Sequence, residues 1–123
     1  MPVFGKLSLE RLATCDQRLQ LIANAAILIT DFSVSCGYRG EQAQNEAYAA
    51  GHSRLRYPQS RHNRSPSQAM DLIPWPVDWG NIGRFKALAK IVKKTAADMN
   101  IPLDWGGDWL TFKDYPHYEL RNY

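Results

Sequence analysis

His52, His62 and His117 are the only histidines of this 123-residue chain, few enough to weigh one at a time. His62 lies in a long polar stretch, and Asp71 follows inside the apolar run Ala69–Met70–Asp71–Leu72–Ile73. An unpaired carboxylate buried in such a run is costly, so Asp71 needs a partner, and a nearby arginine would serve. His117 follows Pro116 in P-H-Y-E-L, where strand alternation puts His117 and Glu119 on one face and Tyr118 and Leu120 on the other. Taken alone, such a histidine is more often a hydrogen-bonded structural residue than a ligand. His52 follows Gly51 at a helix end, where the dipole favours a cation, and is read as structural or surface. Together, however, His62, Asp71 and His117 offer two imidazoles and a carboxylate. That set suits a zinc ion with a fourth position open to water, the catalytic arrangement, whereas structural zinc is usually closed by four protein ligands. Asp114, close before His117, can point elsewhere, as a base for an activated water must.

These residues need elements to position them. Ser8 reads as an N-cap for a first helix with Leu9 and Leu12 on one face. Asp16 caps a second, where Leu19, Ile22, Ala26 and Ile29 recur at helical spacing. The period then changes to two: Phe32 and Val34 alternate with Ser33 and Ser35, a strand ending at Gly37. Glu41 to Ala50 is rich in helix formers and stops at Gly51. From His52 to Gln68 the residues are polar, basic and turn-forming, which predicts a long loop; loops of that length in compact domains are usually functional or disordered. Ala69 to Pro74 reads as a short strand, and Asn81 to Asn100 as the clearest helix, with Ile82, Phe85, Leu88, Ala89, Val92, Ala96 and Met99 in one stripe. Lys86, Lys90, Lys93 and Lys94 lie off that stripe as a solvated face. Leu103 to Asp108 and Pro116 to Leu120 read as two strands joined by a turn. The order predicts one compact α+β domain over residues 1–123, with helices packed around a small, mainly antiparallel sheet.

Composition bounds the function. Apolar residues make 45% and charged residues 22% of the chain, as in a folded soluble domain and unlike disorder or coiled coil. The most apolar stretch, Leu21 to Ile29, is far short of the about 20 residues that span a bilayer, so no membrane insertion is expected. Met1 to Glu10 lacks the apolar core of a secretory signal. Cys15 and Cys36 do not make a disulfide framework at this length. The net charge of +3 favours anionic partners in general: nucleic acid, acidic lipid or acidic wall polymer. Arg54, Arg56, Arg61 and Arg64, with Tyr57 among them, could track a phosphate backbone, but no nucleic-acid motif accompanies them, and a solvated loop is the better reading.

Four stretches occur in order: S-C-G-Y-R at Ser35–Arg39, S-R-H-N-R-S-P-S-Q-A-M-D at Ser60–Asp71, W-G-G-D-W at Trp105–Trp109 and D-Y-P-H-Y-E-L at Asp114–Leu120. In these the chain resembles the zinc peptidases of the D-alanyl-D-alanine carboxypeptidase and L-alanyl-D-glutamate endopeptidase family, especially the small bacteriophage endolysins. The resemblance runs from about Ser8 to Leu120. It implies one zinc per chain on His62, Asp71 and His117 in a groove over the sheet, and Asp114 as the catalytic acid/base. It also implies that Arg39 faces the substrate, to stabilise the oxyanion or hold a carboxylate. Gln44 and Ser60 are implied as substrate-binding groups, Ser60 alternatively as a support behind the ligands. Here the His62–Asp71 spacing is wider than usual for the family, with Ser65–Pro66–Ser67 in the middle. Cys36 stands where serine or threonine is common, and a buried, inert thiol is expected.

The implied activity is hydrolysis of the L-alanyl-D-glutamate bond in the peptidoglycan stem peptide, leading to host cell lysis. The partner is then bacterial peptidoglycan rather than nucleic acid, and a monomer is expected. The chain would accumulate in the host cytoplasm without a signal peptide and act on the periplasmic wall. Two rivals stand beside this: a D,D-carboxypeptidase or dipeptidase with the same chemistry, and a non-catalytic wall or nucleic-acid binder using the arginine loop.

Overall fold

A computed structural model describes residues 2–121. Helices α1 (Lys6–Leu12) and α2 (Gln17–Ala26) lead into β1 (Phe32–Cys36) and α3 (Glu41–Ala49). A 3₁₀ turn at Arg61–Asn63 precedes β2 (Ala69–Pro74), then α4 (Ile82–Asp98), β3 (Leu103–Trp105), a second 3₁₀ turn at Gly106–Asp108, and β4 (His117–Leu120). The strands form one antiparallel sheet in the order β1-β2-β4-β3. This is the α+β architecture the sequence predicts.

Local chemistry accounts for most boundaries. Asp16 accepts the Arg18 N–H at the start of α2, and Asn81 accepts the Arg84 N–H at the start of α4. Past the end of α3, Gly51 takes φ +80°, a left-handed conformation that glycine adopts without strain. The stripe of α4 buries Phe85, Leu88, Ala89, Val92 and Ala96, while Ile82 and Met99, at its two ends, are exposed. This stripe packs on β2 and β3, with α2 against its flank. Met70 and Leu72 of β2 and Tyr118 and Leu120 of β4 meet it from the sheet, fully buried. Each large apolar side chain so buried contributes about 1.5–3 kcal/mol. The two central strands are therefore a firm platform, and their opposite face is left for polar groups.

Several expectations change. Helix α2 ends at Ala26, which leaves Ile29 outside it and exposed, and the strand expected over Leu103–Asp108 ends at Trp105, its last three residues forming the 3₁₀ turn. Helix α1 begins earlier than Ser8, behind Gly5, and Ser8 lies within it, its buried Oγ accepting the Val34 N–H at 3.0 Å. Ser8 thus ties α1 to β1 instead of capping a helix. The stretch from 52 to 68 is a loop, but an ordered one. Its last part runs beside the turn after α1, where Asp16 N–H donates to Ser67 O at 2.8 Å and Ser67 N–H to Thr14 O at 2.9 Å.

Candidate active site

Sheet register brings two of the three expected ligands together, since Asp71 of β2 lies directly opposite His117 of β4. His62 arrives from the 3₁₀ turn. Ser60 caps that turn by accepting the His62 N–H at 3.2 Å, and Asn63 returns its side-chain oxygen to the Ser60 N–H at 3.0 Å, a reciprocal capping box. The turn is fastened to the chain after β1: Arg39 N–H donates to His62 O at 2.7 Å, and Asn63 Nδ2 donates to Arg39 O at 2.8 Å.

Hydrogen bonds to acceptor-only groups fix both imidazole tautomers. His62 Nδ1 lies 2.7 Å from the Gly37 carbonyl, so it carries the proton and leaves Nε2 with its lone pair. A side chain at Gly37 would clash, because a Cβ there would stand 2.4 Å from Arg11 O; glycine is what lets this carbonyl sit behind the ring. His117 Nε2 lies 2.8 Å from Glu119 Oε1, so its proton faces the carboxylate and Nδ1 is the free nitrogen. The two lone pairs and Asp71 Oδ1 converge: His62 Nε2 is 3.1 Å from Oδ1 and 3.2 Å from His117 Nδ1, and Nδ1 is 3.3 Å from Oδ1. With both imidazoles neutral, three acceptors converge on one point that a cation would fill; without a metal, a proton on His62, favoured by Asp71, bridges them instead. A tetrahedral ion with bonds of about 2.0–2.1 Å has ligand-to-ligand edges of about 3.3–3.4 Å, so the donor set fits zinc.

Cys36, His62 and Asp71 also form a group whose possible ligand atoms lie within 4.8 Å of one another. The thiol, however, sits 3.8 Å from His62 Nδ1, the nitrogen already committed to Gly37, on the edge of the ring away from Asp71. Cys36 therefore backs the ring, and His117 supplies the third convergent donor. Cys36 is only partly buried, and although burial raises its thiol, the His62 imidazole brings it below the ordinary value. In that respect it differs from the fully inert thiol expected.

The charges are strongly coupled. Burial disfavours a protonated His62, but the Asp71 carboxylate prevails and pushes its pKa up to about 10. Burial likewise opposes the rise at His117, which hydrogen bonds to Asp71 and Glu119 drive. Burial would raise the Asp71 carboxyl, yet the imidazoles, His62 foremost, hold it well below the carboxylate range. Asp114 shifts the other way: burial and then the Asp71 charge raise it. Its Oδ2 lies 4.0 Å from His117 Nδ1, on the side of the free nitrogen. Gly106 makes that position possible, because a Cβ there would stand 2.3 Å from Asp114 O. The W-G-G-D-W stretch thus supports Asp114 from behind.

Arg39 reaches the same site, with Nη2 3.5 Å from Asp71 Oδ2 and Nη1 donating to Gln44 Oε1 at 3.1 Å. Gln44 is fully buried, and its Nε2 donates to Ser53 Oγ at 3.0 Å and Leu55 O at 2.7 Å. With both ends of its amide engaged and no exposed surface, Gln44 braces Arg39 against the 53–55 segment. Ser60, only 5% exposed, holds the His62 turn. His52 lies on the rim. Glu119 was missed as a functional residue, although strand alternation had placed it on the face of His117. Its second oxygen is 3.2 Å from Arg61 Nε, so an arginine, a carboxylate and an imidazole form a chain. The site opens into a groove of about 180 Å³, walled by the 53–55 segment, Trp109 and Phe112.

Known proteins resemble this chain along nearly its whole length. Residues 2–122 match the family of phage L-alanyl-D-glutamate peptidases. The chain is 31% identical over 123 residues to the L-alanyl-D-glutamate peptidase of Escherichia phage T5, covering 96% of this chain and 88% of that protein. The crystal structure of the Serratia marcescens L-Ala D-Glu endopeptidase ChiX superposes with a TM-score of 0.83 at 30% identity, over 98% of this chain and 91% of that one.

Proposed function

The chain belongs to the phage L-alanyl-D-glutamate peptidase family, and on that premise we propose that it cuts the L-alanyl-D-glutamate bond of peptidoglycan stem peptides with one zinc ion on His62, Asp71 and His117. The observation that carries the metal assignment is the triangle of acceptor atoms with edges of 3.1–3.3 Å, both imidazole tautomers being set from outside it. Zinc bound there would supply Lewis acidity and lower the pKa of a water toward 7.

The protein's own groups do the rest. Asp114 Oδ2 takes the proton of the attacking water and later gives it to the leaving amine. Its raised pKa suits both halves of that exchange, because the carboxylate becomes a better base and remains able to release the proton. Arg39 directs its guanidinium at the oxygen on which negative charge develops. His62 and His117 keep their protons on Gly37 and Glu119 throughout. The 53–55 segment and Trp109 wall the groove in which the peptide lies. Among the described residues no helix is long and apolar enough to cross a membrane. The enzyme acts as a monomer, made in the host cytoplasm and working on the wall at lysis.

The test is digestion of purified peptidoglycan with mass spectrometry of the products, alongside metal analysis of the same preparation. New D-glutamyl amino termini and one zinc per chain are expected. Release of terminal D-alanine would instead assign a D,D-carboxypeptidase. Binding to the wall without cleavage, with no metal present, would refute an enzyme altogether.

A further inference from the structure

The cationic residues around the groove are not equivalent. Arg39 is paired with Asp71 and Gln44, and Arg61 with Glu119. Lys113 donates its ammonium to the Gly107 and Trp109 carbonyls at 3.2 and 2.8 Å. Arg54 has no carboxylate within ion-pair distance among the described residues. Its guanidinium lies over the Trp109 ring, 5.1 Å from the centroid, and the Trp109 ring lies 5.2 Å from that of His117. Arg54 is thus a stacked charge without a counter-ion, one aromatic ring away from a metal ligand, in the wall of the groove.

Its place is also built. Gln44 Nε2 binds Ser53 Oγ and Leu55 O, the two neighbours of Arg54 in the chain, while Gln44 Oε1 binds Arg39. One buried amide therefore braces both arginines, Arg39 beside Asp71 and Arg54 over Trp109, the ring next to His117. A loop residue left to solvation alone would not need this strut.

We propose that Arg54 is a specificity-determining residue that pairs with the free carboxylate of the substrate's D-glutamyl residue. The proposal rests on the reading above. Within a stem peptide, D-glutamate is linked onward through one of its two carboxyl groups, so the other remains anionic close to the scissile amide. A planar guanidinium stacked on an indole is preorganised to meet it with two parallel hydrogen bonds. Neutral analogues, in which that carboxylate is an amide, lose this pairing.

The experiment compares two synthetic stem peptides, one with the free carboxylate and one with it amidated, as substrates for the wild type, Arg54→Gln and Arg54→Lys. The wild type is expected to favour the carboxylate form. In Arg54→Gln, kcat/KM for that form falls about five- to ten-fold through KM, and the preference collapses toward one. Arg54→Lys restores part of the preference, since it keeps the charge without the planar fork. Equal losses on both peptides, or no preference in the wild type, overturn the proposal, as does a preference that Arg39→Lys abolishes and Arg54→Gln leaves intact. NMR titration with the D-glutamyl product peptide, free or amidated, reads the same selectivity without turnover. Selective binding without cleavage would refute the peptidase reading and uphold the assignment of Arg54; unselective binding would overturn it.

Discussion

Replacing Glu119 by alanine should weaken zinc binding without dismantling the fold. In the structure Glu119 Oε1 accepts the His117 Nε2 proton at 2.8 Å, and Oε2 is tied to Arg61 Nε at 3.2 Å. The carboxylate holds the ring's rotation and keeps the lone pair on Nδ1, where Asp71 and His62 converge. Alanine removes both constraints and the negative charge that makes Nδ1 a stronger donor. Losing the partner of a metal-bound imidazole typically costs about 10–100-fold in affinity, or about 1.4–2.7 kcal/mol. Arg61, with 29% of its side chain exposed, finds water instead, so little stability is lost on its account. Glu119→Gln keeps an acceptor for Nε2–H but not the charge, and its loss should stay below about ten-fold. Zinc affinity is read by competition with a chromophoric chelator, and the cobalt-substituted protein reports any change of coordination in its visible spectrum. Affinity unchanged within two-fold in Glu119→Ala would refute the reasoning. So would a glutamine variant as weak as alanine, because the hydrogen bond would then not be what matters.

Other outcomes follow from the same geometry. Asp114→Asn should fold, retain zinc and lose about 10²–10⁴-fold in kcat; near-normal turnover with a lowered Tm would make Asp114 a turn residue only. Arg39→Lys should lower turnover strongly with zinc still bound, because one ammonium cannot serve both Gln44 and the substrate; wild-type turnover would leave Arg39 a structural role. The Tyr118 hydroxyl is buried with no partner among the described residues, so Tyr118→Phe should stabilise by about 1–3 kcal/mol, and a fall in Tm would contradict that. The metal-free protein holds His62 protonated, with its pKa pushed up to about 10. The stability this contributes is complete below the ordinary histidine value and is lost as pH rises through about 10. Zinc uptake at pH 7 should therefore release protons, measured by calorimetry in buffers of different ionisation enthalpy; uptake without release would show that the histidines were already neutral.

Much of this site is legible in the sequence because its key residues lie in strongly patterned segments. Ala69–Pro74 follows a long polar stretch and carries a single charge, so Asp71 stands out, and strand alternation sets the faces of β4. What escaped was long-range. Ser8 looks like a cap, and only the approach of β1 makes it an acceptor for Val34. Nothing local distinguishes Gln44 from Gln42: the former is drawn inside by the 53–55 backbone, whereas the latter stays out, bonded to Glu46. The order of the 52–68 segment comes from bonds to residues far away in sequence, such as Ser67 to Thr14, where local composition suggests only looseness. Lys93, read as part of a solvated face, pairs with Asp108 at 2.7 Å and lies over Trp105.

The pairing of Asp71 with His117 across β2 and β4 has a consequence for folding fidelity. Side chains alternate along a strand, so a slip of β4 by one residue would turn His117 into the apolar layer and present Tyr118 to Asp71. Such a slipped sheet could still close its backbone ladder, but it would hold two metal donors instead of three. Strand β4 is four residues long, too short for its own hydrogen bonds to enforce the register strongly. A cation that binds only the correctly aligned chain adds its binding energy to that alignment alone. With a metal bound as proposed, the centre would act as a proofreader, discriminating against the misaligned sheet before any substrate is met.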